Sequence, residues 1–291
     1  MEIRRWQDRY SKDCALKYPS EATQKNYIST VVGFLWHFKN EAEPKSIKTY
    51  QIKDWLLTFE TINTRNHKLC AIKSFYEITV GMPLKLDKIP FAKRDKKLPK
   101  VLEEDEIQAM FDNCHNTKHY AILAILYACG LRVGEVINLK LEDINEDTID
   151  IICAKGRKDR IVPLPEDLKF IIDAYIKEYN PKIYLFNGQF PNKELRYSER
   201  SINEFLKQIS FRAGINKKIH AHLFRHSYAT HSLEQGTSLP FLQEILGHNN
   251  PKTTQIYLHT SRKSIGRVQS PLQNIRININ QIENTKQKQL K

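Results

Sequence analysis

The chain has 291 residues, long for one domain and comfortable for two, and its 46 Lys and Arg against 33 Asp and Glu give a formal net charge of +13. That balance points to a polyanionic partner, because the basic residues are spread along the chain rather than gathered in a tail. The opening MEIRRWQDRYSKD is too polar for a signal peptide, no apolar run reaches the roughly 18 residues of a membrane span, and five scattered cysteines without a CxxC pair fit a reducing cytoplasm better than a zinc or redox motif.

From Met1 to about Phe91 the pattern is that of a small bundle of amphipathic helices. Apolar residues fall at helical spacing in YISTVVGFLWHF (Tyr27, Val31, Phe34, Leu35, Phe38) and in NHKLCAIKSFYEI (Leu69, Ile72, Phe75, Tyr76). A further helix is expected from Thr49, with a loop around Asn63. Trp36, Phe38, Trp55 and Phe75 read as core. Residues 93–100 then form a basic linker between domains, with Lys93, Arg94, Lys96 and Lys97 as candidate contacts to a phosphate backbone.

A second domain is expected over 101–259. It opens with Glu103, Glu104 and Asp105 in the first turn of a helix, where they complement its dipole. The apolar density of HYAILAILYACG marks a buried central helix that stops at Gly130, followed by a short helix carrying Arg132 and Glu135. DTIDIICAKGRKDRIVPLP alternates with period two on both sides of KGRK, which predicts a hairpin with strands near 148–153 and 159–164 and Lys155 at the approach to the turn. Helices are expected over LKFIIDAYIKEY and from Ser201 to Gly214, with a loop-rich stretch between.

The segment AHLFRHSYATHSLEQG places His222, Arg225, His226 and Ala229 at i, i+3, i+4 and i+7 of one helix, with Gly236 as its stop. SLPFLQEILG predicts a short helix from Leu239 ending at Gly247. Asn250 before Pro251 resembles an N-cap with proline at N1, so Tyr257 is expected on or just after a third short helix. His222, Arg225, His248 and Tyr257 thus fall within 36 positions. A phenol can be a nucleophile, a guanidinium can grip a phosphate in a bidentate fork, and imidazoles can move protons. His220, His222, His226, His231 and His248 could suggest a metal site, but the cation Arg225 among them and the lack of a clustered carboxylate or thiol argue against one.

The segments ACGLRVGEVINLKLEDI, AKGRKDRIVPLP, HAHLFRHSYATHSLEQG and LQEILGHNNPKTTQIYLH, in this order and with nine positions from His248 to Tyr257, resemble the boxes of the tyrosine recombinases, the lambda-integrase and Xer-like site-specific DNA recombinases. The likeness covers roughly Val101 to His259, and the first 90 residues match only loosely, as a helical core-binding domain. It implies a mainly α fold with a small β-sheet, in which a helical core-binding domain and a mixed α/β catalytic domain close as a C-shaped clamp on DNA. By this resemblance Arg132 and Arg225 clamp the scissile phosphate and Glu135 orients Arg132. Lys155 protonates the leaving 5′-hydroxyl, His222 accepts a proton or donates to the phosphate, His248 donates to a phosphate oxygen, and Tyr257 is the nucleophile.

The reaction implied is transesterification through a 3′-phosphotyrosine, which uses no metal or other cofactor. The implied partners are double-stranded DNA and further copies of the chain, a dimer on one site and a tetramer in synapsis. Arg157 and Lys158 in the hairpin turn join the linker cations as candidate DNA contacts, and residues 260–291 form a tail that could pack on a neighbouring protomer. The layout resembles the minimal Xer type, without a further arm-binding domain. Two other functions stay open on sequence alone, a catalytically retired DNA-binding accessory protein and a type IB topoisomerase-like enzyme; the complete set of six catalytic residues, Arg132, Lys155, His222, Arg225, His248 and Tyr257, weighs against the first.

Overall fold

The computed structural model describes residues 1–93, 99–152, 159–188, 196–248 and 250–259. Arg94, Lys96, Lys97, Lys155, Arg157, Lys158 and the tail 260–291 lie outside the described residues. The chain divides into two compact units, Met1–Lys97 and Leu98–Lys291.

The first unit holds helices α1 (Ile3–Lys17), α2 (Glu21–His37), α3 (Thr49–Leu57) and α4 (Ile62–Phe75), the last running into a π-helical turn, Tyr76–Val80. Their apolar stripes close on one core that includes Tyr10, Val31, Phe34, Leu35, Ile52, Leu69, Ile72 and Phe75. Phe34 meets Phe38 and Trp55 edge to face, with centroids 5.0 and 5.1 Å apart, contacts that add about 0.5–1.5 kcal/mol each beyond area burial. Two expectations are corrected here. Asn63 lies inside α4, because Thr61 caps that helix by accepting from the Thr64 amide at 3.2 Å. Trp36 is 59% exposed: the buried face of α2 runs through Thr30, Val31, Phe34 and Leu35, and helical spacing turns position 36 away from it.

The second unit is built around α6 (Thr117–Ala128), whose residues from Ala121 to Leu126 are all buried. It packs against α7 (Val133–Asn138), α8 (Glu166–Tyr179), α9 (Glu199–Arg212) and α10 (Ala221–Glu234). Ahead of it, α5 (Glu104–Asp112) has Glu103 as its cap rather than its first turn, with Glu106 accepting from the Glu103 amide at 2.8 Å. Arg132, expected within α7, is likewise its N-cap. Strands β1 (Thr148–Ile151) and β2 (Arg160–Pro163) pair antiparallel, with Ile149 opposite Val162 and Ile151 opposite Arg160. The alternation of the pleat sends Ile149, Ile151, Val162 and Arg160 inward and leaves Ile161 exposed. The described strands are shorter than the sequence predicts, and 153–158 between them lie outside the described residues. After α10 come α11 (Leu239–Leu246), α12 (Pro251–Gln255) and a 3₁₀ turn, Ile256–His259, that carries Tyr257.

Candidate active site

The site forms where the end of α6, the end of α11 and the 3₁₀ turn Ile256–His259 meet α10. Helix α6 stops at Gly130, whose φ of 57° is left-handed and whose missing side chain lets the Tyr228 ring seat on it; a Cβ there would lie 2.3 Å from Tyr228 Cδ1. Two residues on, the Arg132 backbone amide donates to Glu135 Oε2 and its Nη1 to Glu135 Oε1, both at 2.8 Å. Glu135 also accepts from Arg160 Nη1 at 3.0 Å and Nη2 at 2.8 Å. Burial by itself raises the Glu135 carboxyl, but the bonds and charge of Arg160, with the Arg132 amide and guanidinium, outweigh it and hold the group at about 2. The carboxylate therefore stays ionised between two arginines.

Arg225 is 1% exposed on the inward face of α10. Its Nη1 donates to Gly130 O at 2.8 Å, and its Nη2 donates to Leu246 O and lies 3.0 Å from His248 Nε2. Burial first, then the charge of Arg132, push its guanidinium down to about 9, so it remains charged at neutral pH. Because an arginine only donates, His248 Nε2 accepts, and His248 Nδ1–H donates to the buried Thr254 hydroxyl at 2.9 Å. Burial and then the Arg225 charge bring His248 down to about 4, in agreement with a neutral ring.

Tyr257 is 3% exposed and packs in a small cluster with Ala229, Leu233, Leu242 and Leu246, apart from the main core. Its hydroxyl pairs with His226 Nδ1 at 2.9 Å, and its ring lies nearly parallel to that of His248. Burial raises the phenol while Arg225 and Arg132 oppose the rise, and burial lowers His226 to about 4, so both partners are neutral at pH 7. His222 stands exposed in the first turn of α10 with its ring edge-on to His226, 4.7 Å between centroids.

Of the residues singled out from sequence, the structure thus brings Arg132, Glu135, Arg225, His248 and Tyr257 together, with His222 one ring further out. Lys93 is exposed at the end of the first unit. Sequence reasoning missed Arg160, the role of His226 as partner of the tyrosine hydroxyl, and Thr254 behind His248. The signal for Arg160 was its inward phase with Val162 in the alternating strand, and for His226 its i+4 spacing from His222.

A model of the phage integrase family matches residues 100–264. The tyrosine recombinase XerC of Staphylococcus epidermidis is 33% identical over 273 residues, which cover 86% of this chain and 90% of that protein. The crystal structure of XerA recombinase aligns with 28% identity and a TM-score of 0.54 over 95% of this chain and all of the other. A lambda integrase tetramer bound to a Holliday junction shares the fold at 16% identity, with a TM-score of 0.74 over 95% of this chain and 80% of that one. With more than half its length matched by the family model and a relative 33% identical over 90% of that protein, the chain belongs to the phage integrase family, the tyrosine recombinases.

Proposed function

We propose that this protein cuts and rejoins double-stranded DNA at specific sites through a 3′-phosphotyrosine at Tyr257. The observation that carries the reading is the convergence of two arginines and a histidine on one phenol: Arg225 joins His248 at 3.0 Å, Tyr257 stacks along His248, and Arg132 is braced beside them by Glu135. A scissile phosphate entering here exchanges the carbonyl partners of Arg132 and Arg225 for its non-bridging oxygens, where charge builds in the transition state. Once Arg225 turns to the phosphate, His248 Nε2 is released, and beside an anion the ring gains a proton and donates to it.

Tyr257 Oη then forms the bond to phosphorus as the bond to the 5′-oxygen breaks. The phenolic proton passes to an imidazole, with His226 Nδ1 the acceptor already in place and His222 next to it toward solvent. The 5′-oxygen takes its proton from Lys155. The 5′-hydroxyl of a partner strand reverses the step, so bond energy is conserved and tyrosine is regenerated.

In this reading both units, together with the basic cations of the linker, contact the DNA backbone. The net charge of +13 suits such a partner. Neighbours of the same fold support both DNA and self-association: XerH is solved on its difH substrate, and lambda integrase as a dimer on a core site and a tetramer on a Holliday junction. The test is a supercoiled plasmid carrying two copies of a site selected from random DNA by the protein itself. Exchange between the sites, lost in Tyr257→Phe, is expected; relaxation without exchange contradicts it.

A further inference from the structure

The carbonyls at the C-terminal end of α11 are fully accounted for, and in an unusual way. A helix leaves its last carbonyls without intrahelical donors. Here Gln243 O and Glu244 O accept from the His248 and Gly247 amides at 3.1 and 2.9 Å, a closure made possible by the left-handed Gly247 at φ 60°. The next three carbonyls in sequence each take a different arginine. Ile245 O accepts from Arg160 Nε at 2.5 Å, Leu246 O from Arg225 Nη2, and Gly247 O from Arg132 Nη2 at 3.5 Å. The negative end of the helix dipole and the single carboxylate of Glu135 thus hold three guanidiniums in one register.

Two of these arginines are already placed as phosphate ligands; the third is different. Arg160 has a side chain only 5% exposed, and its Nε, Nη1 and Nη2 are all engaged, the last two in a bidentate grip on the same carboxylate that braces Arg132. Its aliphatic stem lies against Gly247, where an added Cβ would sit 3.0 Å from Arg160 Cδ. It therefore joins strand β2, the brace Glu135 and the end of α11 without offering a donor to DNA.

We propose that Arg160 is a positioning residue for the phosphate-binding pair. By fixing Glu135 it sets the orientation of Arg132 through that carboxylate, and by holding Ile245 O it keeps the end of α11 in place beside Arg225. This rests on the reading of Arg132 and Arg225 as ligands of the scissile phosphate. A displacement of about 1 Å in such a ligand is worth up to about a hundredfold in rate, whereas DNA affinity, made by many other phosphate contacts, should hardly move.

The test uses the full chain and a nicked duplex built on a site selected from random DNA by the protein, with the scissile position either a phosphodiester or a methylphosphonate, whose methyl group replaces one charged non-bridging oxygen. In Arg160→Met, adduct formation on the phosphodiester should slow by about tenfold to a hundredfold with duplex affinity within twofold. The slowing should shrink on the methylphosphonate, where less charge needs an aligned arginine. An unchanged rate, or an equal loss on both substrates as general loosening of the domain would give, overturns the proposal. Should Arg160→Met fail to fold, Arg160→Lys, which keeps the charge but not the two-pronged grip, is read by the same two outcomes. A wild-type protein that forms no adduct through Tyr257 defeats the functional reading instead, and so separates the two failures.

Discussion

Glu135 is the carboxylate that pairs two guanidiniums, Arg132 and Arg160, and its removal should be felt in folding before it is felt in chemistry. Glu135→Ala leaves Arg160 buried without its carboxylate, a change that costs about 3–5 kcal/mol when one partner of a buried pair is deleted; urea unfolding measures it. Because the folded-state value of Glu135 lies at about 2 against an ordinary 4.5, its contribution is present above pH 4.5 and is lost as pH falls toward 2. His226 and His248, both held down at about 4 from 6.5, add an earlier loss, since the unfolded chain binds protons that the folded rings refuse as pH falls from 6.5 to 4. Wild type should therefore lose stability in two successive windows, and His248→Gln should shrink the upper one, leaving the share of His226. A stability profile that is level from pH 7 to pH 4.5 contradicts the buried neutral imidazoles. At Gly130, substitution by Ala combines a left-handed backbone with a Cβ driven into the Tyr228 ring, and a cost of about 2–4 kcal/mol is expected from strain and overpacking together.

The elements that deliver these residues were legible to different degrees. Helix ends marked by glycine were readable, because Gly130, Gly236 and Gly247 are all left-handed stops where the sequence places them. Asn250 was readable too, and its side chain accepts from the Lys252 amide at 3.0 Å. Asn250→Ala should cost about 1 kcal/mol and, by loosening α12, lower the rate at which Tyr257 forms an adduct more than it lowers DNA affinity. Equal effects on both would place the cap outside the delivery of the tyrosine. What stayed hidden was decided by partners far along the chain. Arg160 meets Ile245 across 85 positions and Arg132 meets Gly247 across 115, and no local pattern encodes either contact. Trp36 misled for a related reason: an apolar side chain next to a buried stripe looks like part of it until the helix phase is fixed by Phe34 and Leu35.

On the scale of the whole molecule, two compact units carry an excess of positive charge, and among the described residues no helix is long and apolar enough to cross a membrane. Binding to duplex DNA should weaken by about a thousandfold or more between 50 and 200 mM salt if some six or more phosphates are neutralised, which titration at several salt concentrations measures; a flat dependence would remove the backbone as the main contact. The family resemblance made the second unit readable in advance, whereas the first showed only its helical periodicity. The most direct measurement is mass spectrometry of the covalent product trapped on a nicked duplex, with the linkage mapped on both the DNA and the peptide. The expected product is a 3′-phosphate esterified to Tyr257, with a free 5′-hydroxyl on the released strand and no adduct in Tyr257→Phe. A linkage to the 5′ end, or to any other residue, contradicts the assignment of Tyr257 as the nucleophile.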